Sequence, residues 1–101
     1  MNPPPASPAL PTVLVVDDEV RSQDAIRRTL DDDFIVHTAG SADAARTLLE
    51  RAPVAVILCD QRMPGTSGVV FLKEVRERWP DTVRIVISGY TDSEDIITGI
   101  N

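Results

Sequence analysis

The sequence has little cysteine, few aromatic residues and no long apolar run. Its one cysteine, Cys59, cannot form an intramolecular disulfide; it lies in an apolar stretch, where we expect a small buried side chain. Aromatic residues make up only 4% of the chain, so its core must be built from aliphatic side chains. No run is apolar for long enough to cross a bilayer, which argues against a membrane protein.

Positive charge is also scarce. The formal net charge is -6, which argues against a nucleic-acid or anionic-membrane surface. A length of 101 residues allows one domain. The first residues, MNPPPASPALP, have neither a basic start nor an apolar stretch free of proline, so they are not a signal peptide. We expect residues 1–11 to form a disordered, polyproline-like tail, residues 12–101 to form the domain, and the protein to be cytoplasmic.

Four stretches rich in apolar and β-branched residues predict strands, and the first, a continuous apolar run, is typical of a strand that is covered on both faces. In chain order they are Thr12–Asp17, Phe34–Ala39, Val54–Cys59 and Thr82–Ser88. Segments with helical spacing of apolar residues separate them and follow the last one. This βαβαβαβα order with short connections predicts an α/β fold, an open parallel sheet with helices on both faces.

Each helical segment carries an apolar stripe, and Ser41 and Ser67 can cap the second and third helices. Pro80 ends the third helix, and the fourth begins at Asp92 or Ser93. The stripes comprise Val20, Ile26 and Leu30; Ala42, Ala45, Leu48, Leu49 and Ala52; Gly68, Leu72, Val75 and Trp79; and Ile96, Ile97 and Ile100. Because Asn101 falls inside the last stripe, we expect the domain to continue beyond it with a further strand and helix.

Polar residues gather where the strands end. Asp17–Glu19 follow the first strand, Asp60 follows the third, and Ser88 and Gly89 end the fourth. Alone, each has an ordinary explanation, as a helix cap or a turn residue, but these do not explain why the acids converge on the ligand-binding edge of such a sheet. Two carboxylates about 4 Å apart repel by roughly 4 kcal/mol at an effective dielectric of 20. A cation is therefore expected among them.

The ligand types indicate which cation this is. No histidine or cysteine stands beside the acids at a metal-binding spacing, which argues against zinc and copper. Carboxylates with room for water and phosphate oxygens suit Mg²⁺. A carboxylate held there is also a possible nucleophile toward a phosphoryl group, so we interpret Asp60 as a phosphoryl acceptor. The Ser88 hydroxyl and the backbone N–H groups of Gln61 and Gly89 can bind the arriving oxygens.

The segments VLVVDDE, ILCDQRMPGTSG and VRIVISGY resemble the receiver domain of two-component response regulators, over nearly all of Thr12–Asn101. The resemblance implies a flavodoxin-like, CheY-like doubly wound sheet of order 2-1-3-4-(5), with the fifth strand and fifth helix lacking in this chain. It also implies that a histidine kinase phosphorylates Asp60. The implied Mg²⁺ ligands are Asp18 and Asp60, Asp17 through water, and the backbone carbonyl of Arg62.

The resemblance further implies a signalling switch rather than a metabolic enzyme, one that catalyses only its own phosphoryl transfer and slow dephosphorylation. Ser88 would be the switch hydroxyl, and Tyr90 is a switch candidate. The family places a lysine after its fifth strand; Lys73, on the third helix, cannot fill that role. The exposed edge VRIVI predicts self-association or a homodimer.

The longer segment DQRMPG…FLKEVRERWPDTVRIVISGYTD resembles receivers with an NtrC-type output domain, particularly those of hydrogenase transcriptional regulators. A C-terminal output domain would then follow this segment. The alternatives are the receiver of a cyclic-dinucleotide phosphodiesterase and a dimerisation module that works without phosphorylation.

Three other classes fit less well. A flavin-binding module needs a Ser/Thr-rich loop where this chain has Asp-Asp-Glu, and a haloacid-dehalogenase-type phosphatase needs an acid where Arg62 stands. An ATP-hydrolysing segment would need a Gly-rich loop with lysine, which the sequence lacks.

Overall fold

A computed structural model describes residues 10–87 of the chain. In order, its elements are β1 (Thr12–Val16), α1 (Val20–Leu30), β2 (Ile35–Ala39), α2 (Ala42–Arg51), β3 (Val56–Asp60), α3 (Gly68–Arg78) and β4 (Val83–Ile87). The four strands form one parallel sheet in the order β2-β1-β3-β4. This confirms the predicted fold class and strand order. The predicted fourth helix lies outside the described residues.

The core lies between the sheet and helices α2 and α3. Alternate residues of β1 and β3, among them Leu14 and Ile57, are fully buried in it. The helices contribute a cluster of buried side chains, which comprises Ala42, Ala45, Leu49, Phe71, Leu72 and Val75. These stripes confirm the helical spacing of the sequence, and Trp79 packs partly buried against the same cluster.

The predicted serine caps are present. The Ser41 hydroxyl accepts a hydrogen bond from the Ala44 N–H at 3.1 Å, and the Ser67 hydroxyl accepts one from the Val70 N–H at 3.2 Å. Each satisfies one of the N–H groups that a helix leaves unpaired at its start. Helix α3 ends at Arg78, directly before Trp79 and Pro80 as expected.

Three sequence expectations are wrong in detail. Ala52, assigned to the apolar stripe of the second helix, is the exposed C-cap residue of α2. Val20, assigned to the apolar stripe of the first helix, is 65% exposed because it is the first residue of α1, whereas Ile26 and Leu30 are partly buried. The third strand starts and ends later than predicted, so Asp60 is its last residue rather than the residue after it. Asp60 therefore still has a strand partner, Ile87.

Ion pairs connect α2 to α3 on the outer surface. The Arg46 guanidinium donates two hydrogen bonds to the Glu74 carboxylate, at 2.7 and 2.8 Å, and Arg78 bridges Glu74 and Glu50 at 3.1 and 2.9 Å. The hydrogen bond from Arg46 is the main reason that the pKa of Glu74 is lowered. Because the pairs are partly exposed, each contributes at most about 1 kcal/mol, but the bidentate geometry fixes how the two helices align.

Candidate metal and phosphoacceptor site

Three aspartates meet at one edge of the sheet because their strands are neighbours. Val16 of β1 is in register with Cys59 of β3, so the residues that follow them, Asp17 and Asp60, come side by side. One carboxylate oxygen from each of Asp17, Asp18 and Asp60 lies within 4.8 Å of the others. The structure thus brings together the three acids that the sequence placed at this edge.

Asp17 is held by three hydrogen bonds, two to its backbone and one to its carboxylate. Its N–H donates to the Ala39 carbonyl at 3.0 Å, and its carbonyl accepts a hydrogen bond from the Gln23 side chain at 2.6 Å. Its carboxylate accepts one from the Glu19 N–H at 2.9 Å. The α1 N-cap is Glu19, so neither Asp17 nor Asp18 caps this helix, and that ordinary explanation of their presence is wrong.

Gln23 is a supporting residue that the sequence analysis missed. Its amide fixes the carbonyl of Asp17 from the first turns of α1. A polar residue among other polar residues on a helix gives no periodic signal. An amide side chain a few residues after the acid pair is the only hint that was available.

The acids face an open pocket of about 620 Å³. Its lining combines acidic and apolar residues; it comprises Asp17, Asp18, Glu19, Ser22, Ala25, Ile26, Asp60, Arg62 and Ile87. The pocket is wide enough for a hydrated cation together with a phosphoryl group. Ile87, at its edge, is the last described residue before Ser88.

The charge in this pocket is unbalanced. Burial raises the pKa of Asp60, and the negative charges of Asp17 and Asp18 raise it further. The backbone N–H groups of Arg62 and Gln61 act in the opposite direction by stabilising the carboxylate. The side chains that could bind a metal here are all carboxylates, which suit a hard cation such as Mg²⁺. A bound cation would also remove the repulsion between the acids that raises the pKa of Asp60. The residues therefore fit the metal.

The loop after Asp60 makes a tight turn before α3. Gly65 has φ of +87°, a left-handed conformation that favours glycine, which explains the Met-Pro-Gly turn. At the end of this loop, Gly68 is buried against the backbone of Asp60: a Cβ on Gly68 would lie 2.4 Å from the Asp60 carbonyl oxygen. The start of α3 thus touches the main chain of Asp60.

The other residues with reactive or switch-type side chains fall into three groups. Cys59 is fully buried as expected, and burial raises the pKa of its thiol to about 12, with a further rise from Asp60. His37 is exposed on β2. Ser88, Gly89 and Tyr90 lie outside the described residues.

The sequence model of the response regulator receiver domain family matches residues 13–101. The chain belongs to this family. The receiver domain has 78% identity over 90 residues to the hydrogenase transcriptional regulatory protein HoxA of Cupriavidus necator and 64% over 90 residues to that of Bradyrhizobium diazoefficiens. Both alignments cover 89% of this chain but 19% of the relative, so the chain spans about a fifth of their length.

Solved structures agree with this assignment. The chemotaxis response regulator CheY4 of Vibrio cholerae superposes with a TM-score of 0.78 at 29% identity, covering 86% of this chain and 75% of that one. The predicted receiver domain and its similarity to hydrogenase regulators are both confirmed. Within residues 10–87, no helix of the receiver domain is long and apolar enough to cross a membrane.

Proposed function

We propose that this receiver domain accepts a phosphoryl group on Asp60 from a histidine kinase, with Mg²⁺ bound beside it, and thereby switches an output domain. The observation that carries the proposal is the convergence of the three carboxylates of Asp17, Asp18 and Asp60 within 4.8 Å in one open pocket. Acids in this arrangement oppose one another without a cation, and one of them is fixed at the end of a central strand.

The proposed metal ligands are Asp18 and Asp60 directly, Asp17 through water, and the backbone carbonyl of Arg62. Mg²⁺ would neutralise part of the negative charge on the acids and on the incoming phosphoryl oxygens. The hydrogen bonds to Asp17 hold this one of the proposed ligands in position before any metal binds. Partial burial and the neighbouring acids raise the pKa of the Asp60 carboxyl, and a more basic carboxylate is a better nucleophile.

In the proposed transfer, a carboxylate oxygen of Asp60 forms a bond to phosphorus while the bond between phosphorus and the kinase imidazole nitrogen breaks. The product is an acyl phosphate. Main-chain N–H groups and the Ser88 hydroxyl would bind the phosphoryl oxygens. The Gln61 N–H already donates to the Ile87 carbonyl at 3.0 Å, so the Arg62 N–H, which stabilises the Asp60 carboxylate, is the better placed donor from this loop. Gly89 would supply another.

Incubation with acetyl phosphate and Mg²⁺ is expected to add one phosphoryl group per chain, because acetyl phosphate carries the same kind of transferable group. Intact mass spectrometry of the protein in its natural full length measures the adduct directly. Removing Mg²⁺ with a chelator is expected to prevent it. No adduct on folded protein with Mg²⁺ present would contradict the proposal, and the domain would then act by binding or dimerisation alone.

The wider assignment follows from the relatives and is part of the proposal. Residues 12–101 would form the receiver domain and residues 1–11 a leading tail. An NtrC-type output domain would follow on the C-terminal side and control transcription, with hydrogenase genes as targets, in a cytoplasmic protein. Tyr90 would respond to the state of Ser88.

We also propose that the 101-residue chain, taken in isolation, self-associates through its β4 edge. In the described sheet, β4 has a neighbour on one side only, and its Val83 and Ile85 are 55% and 44% exposed. Apolar edges of this kind recruit further strands or partners. Sedimentation velocity of the 101-residue chain is expected to show a mass that rises with concentration, and an Ile85→Lys variant to remain monomeric. A concentration-independent monomer would contradict the proposal.

A further inference from the structure

Gln61 joins the end of β3 to the start of α3 with both its main chain and its side chain. The side-chain Oε1 accepts a hydrogen bond from the Val69 N–H at 3.0 Å, and the Gln61 carbonyl accepts one from the Gly68 N–H at 2.9 Å. Both donors belong to the first turn of a helix, where N–H groups have no partner within the helix. On the other side, the Gln61 N–H donates to the Ile87 carbonyl of β4.

These bonds close residues 62–67 into a loop that is tied at both ends. The loop begins with Arg62, whose N–H stabilises the Asp60 carboxylate and whose carbonyl is the proposed metal ligand. The close approach of Gly68 to the Asp60 carbonyl prevents the start of α3 from moving toward the strand. The Gln61 side chain bond to Val69 opposes movement in the other direction.

The Ser67 hydroxyl provides an internal comparison. It accepts a hydrogen bond from the Val70 N–H at 3.2 Å, so Ser67 and Gln61 each satisfy one N–H group at the same end of the same helix. The bond of Ser67 stays within the helix terminus, whereas that of Gln61 reaches back to the residue after the acceptor. Comparing variants of Ser67 and Gln61 therefore distinguishes an effect on the helix cap from an effect on the position of the site.

We infer that the Gln61 side chain is a positioning residue for phosphoryl acceptance: by its bond to the Val69 N–H it holds the main chain of Arg62 against Asp60 and the metal position. This inference rests on the proposed function of Asp60. Gln61 is not among the residues that line the described acidic pocket, so its side chain acts through the loop and not on the phosphoryl group.

The test compares Gln61→Met, which keeps the side-chain length without a strong acceptor, with Ser67→Ala as the matched control. Gln61→Glu retains a carbonyl-type oxygen for the Val69 N–H and serves as the rescue. We expect Gln61→Met to slow adduct formation by about tenfold, the lower end of the effect of removing an outer-shell partner. Ser67→Ala and Gln61→Glu are expected to remain within about threefold of the parent protein.

Hydrogen exchange of the amides of residues 62–70, measured without Mg²⁺ or phosphodonor, provides a readout that does not depend on activity. Gln61→Met is expected to accelerate exchange across residues 62–69, and Ser67→Ala mainly at Val70. Equal effects of Gln61→Met and Ser67→Ala on both measurements would overturn the inference and leave Gln61 as a helix cap. If Gln61→Met does not fold, Gln61→Asn, whose shorter amide cannot span the same distance, replaces it.

Failure of the proposed function is distinguishable from failure of this inference. If the parent protein takes no phosphoryl group, Asp60 is not an acceptor and the role of Gln61 in phosphorylation is also wrong. If the parent is phosphorylated but Gln61→Met reacts at the parent rate, Asp60 remains the acceptor and the positioning role alone is wrong.

Discussion

The Asp60→Asn variant is expected to take no phosphoryl group under conditions in which the parent protein is fully modified. Asn keeps the shape of the side chain but lacks the nucleophilic oxygen pair, so the loss should be complete rather than partial. Intact mass measures it in the presence of Mg²⁺. Asp24→Asn is the matched control, because Asp24 is an exposed aspartate of α1 outside the acid cluster. An adduct that survives Asp60→Asn would identify another residue as the acceptor.

The same variant is expected to change how stability depends on pH. Because burial and Asp17 raise the pKa of Asp60 above its value in the unfolded chain, the folded state binds this proton more tightly. That contribution to stability is complete below the unfolded pKa of about 3.9 and is lost as the pH rises through the folded pKa. At pH 7 without Mg²⁺, Asp60→Asn removes the unfavourable charge and should raise the free energy of unfolding by about 1 kcal/mol.

Urea denaturation at a series of pH values, with a chelator present, measures this difference. Added Mg²⁺ is expected to stabilise the parent protein and to stabilise Asp60→Asn much less, because the variant has lost one ligand and one charge. An equal response of the two proteins to Mg²⁺ would contradict the assignment of Asp60 as a metal ligand.

Gly68→Ala is expected to destabilise the fold by about 2–3 kcal/mol and to slow phosphorylation by at least about tenfold. Helix propensity alone would give the opposite sign, since alanine is favoured over glycine inside a helix by about 1 kcal/mol. The close packing reverses it: the new Cβ would lie 2.4 Å from the Asp60 carbonyl oxygen and 3.0 Å from the Gln61 Cα. These are backbone atoms, so relief of the contact requires helix α3 or strand β3 to move.

Gly40→Ala is the matched control for this substitution. A Cβ at Gly40 would meet only the end of the Gln23 side chain, at 4.0 Å, so its stability should change by no more than about 0.5 kcal/mol. Urea denaturation and the rate of adduct formation are measured on both variants. A Gly68→Ala protein that is as stable as the parent would show that α3 can withdraw from Asp60 without cost.

The positions of the acids were predictable from the sequence because they depend on topology. Once the four strands are recognised as parallel, their carboxyl ends share one edge, and Asp17 and Asp60 meet there because β1 and β3 are neighbours in the sheet. The serine caps of α2 and α3 were predictable for a similar reason, since a hydroxyl before an apolar stripe acts on its own helix. Val20 was wrongly predicted to be buried because periodicity does not show at which residue a helix begins to pack on the sheet.

The alternating periods and short connections of the sequence determined the class of fold and the shared edge of the acids, because they leave few topologies. The strand order followed from the resemblance to receiver domains and not from the pattern. Only the tertiary structure decided which residues support that cluster. The bond of Gln23 to Asp17, the bond of Gln61 to Val69 and the contact of Gly68 with Asp60 all join elements that are separate in the sequence pattern. Their existence depends on how closely the packed elements approach one another, which no residue type or spacing specifies.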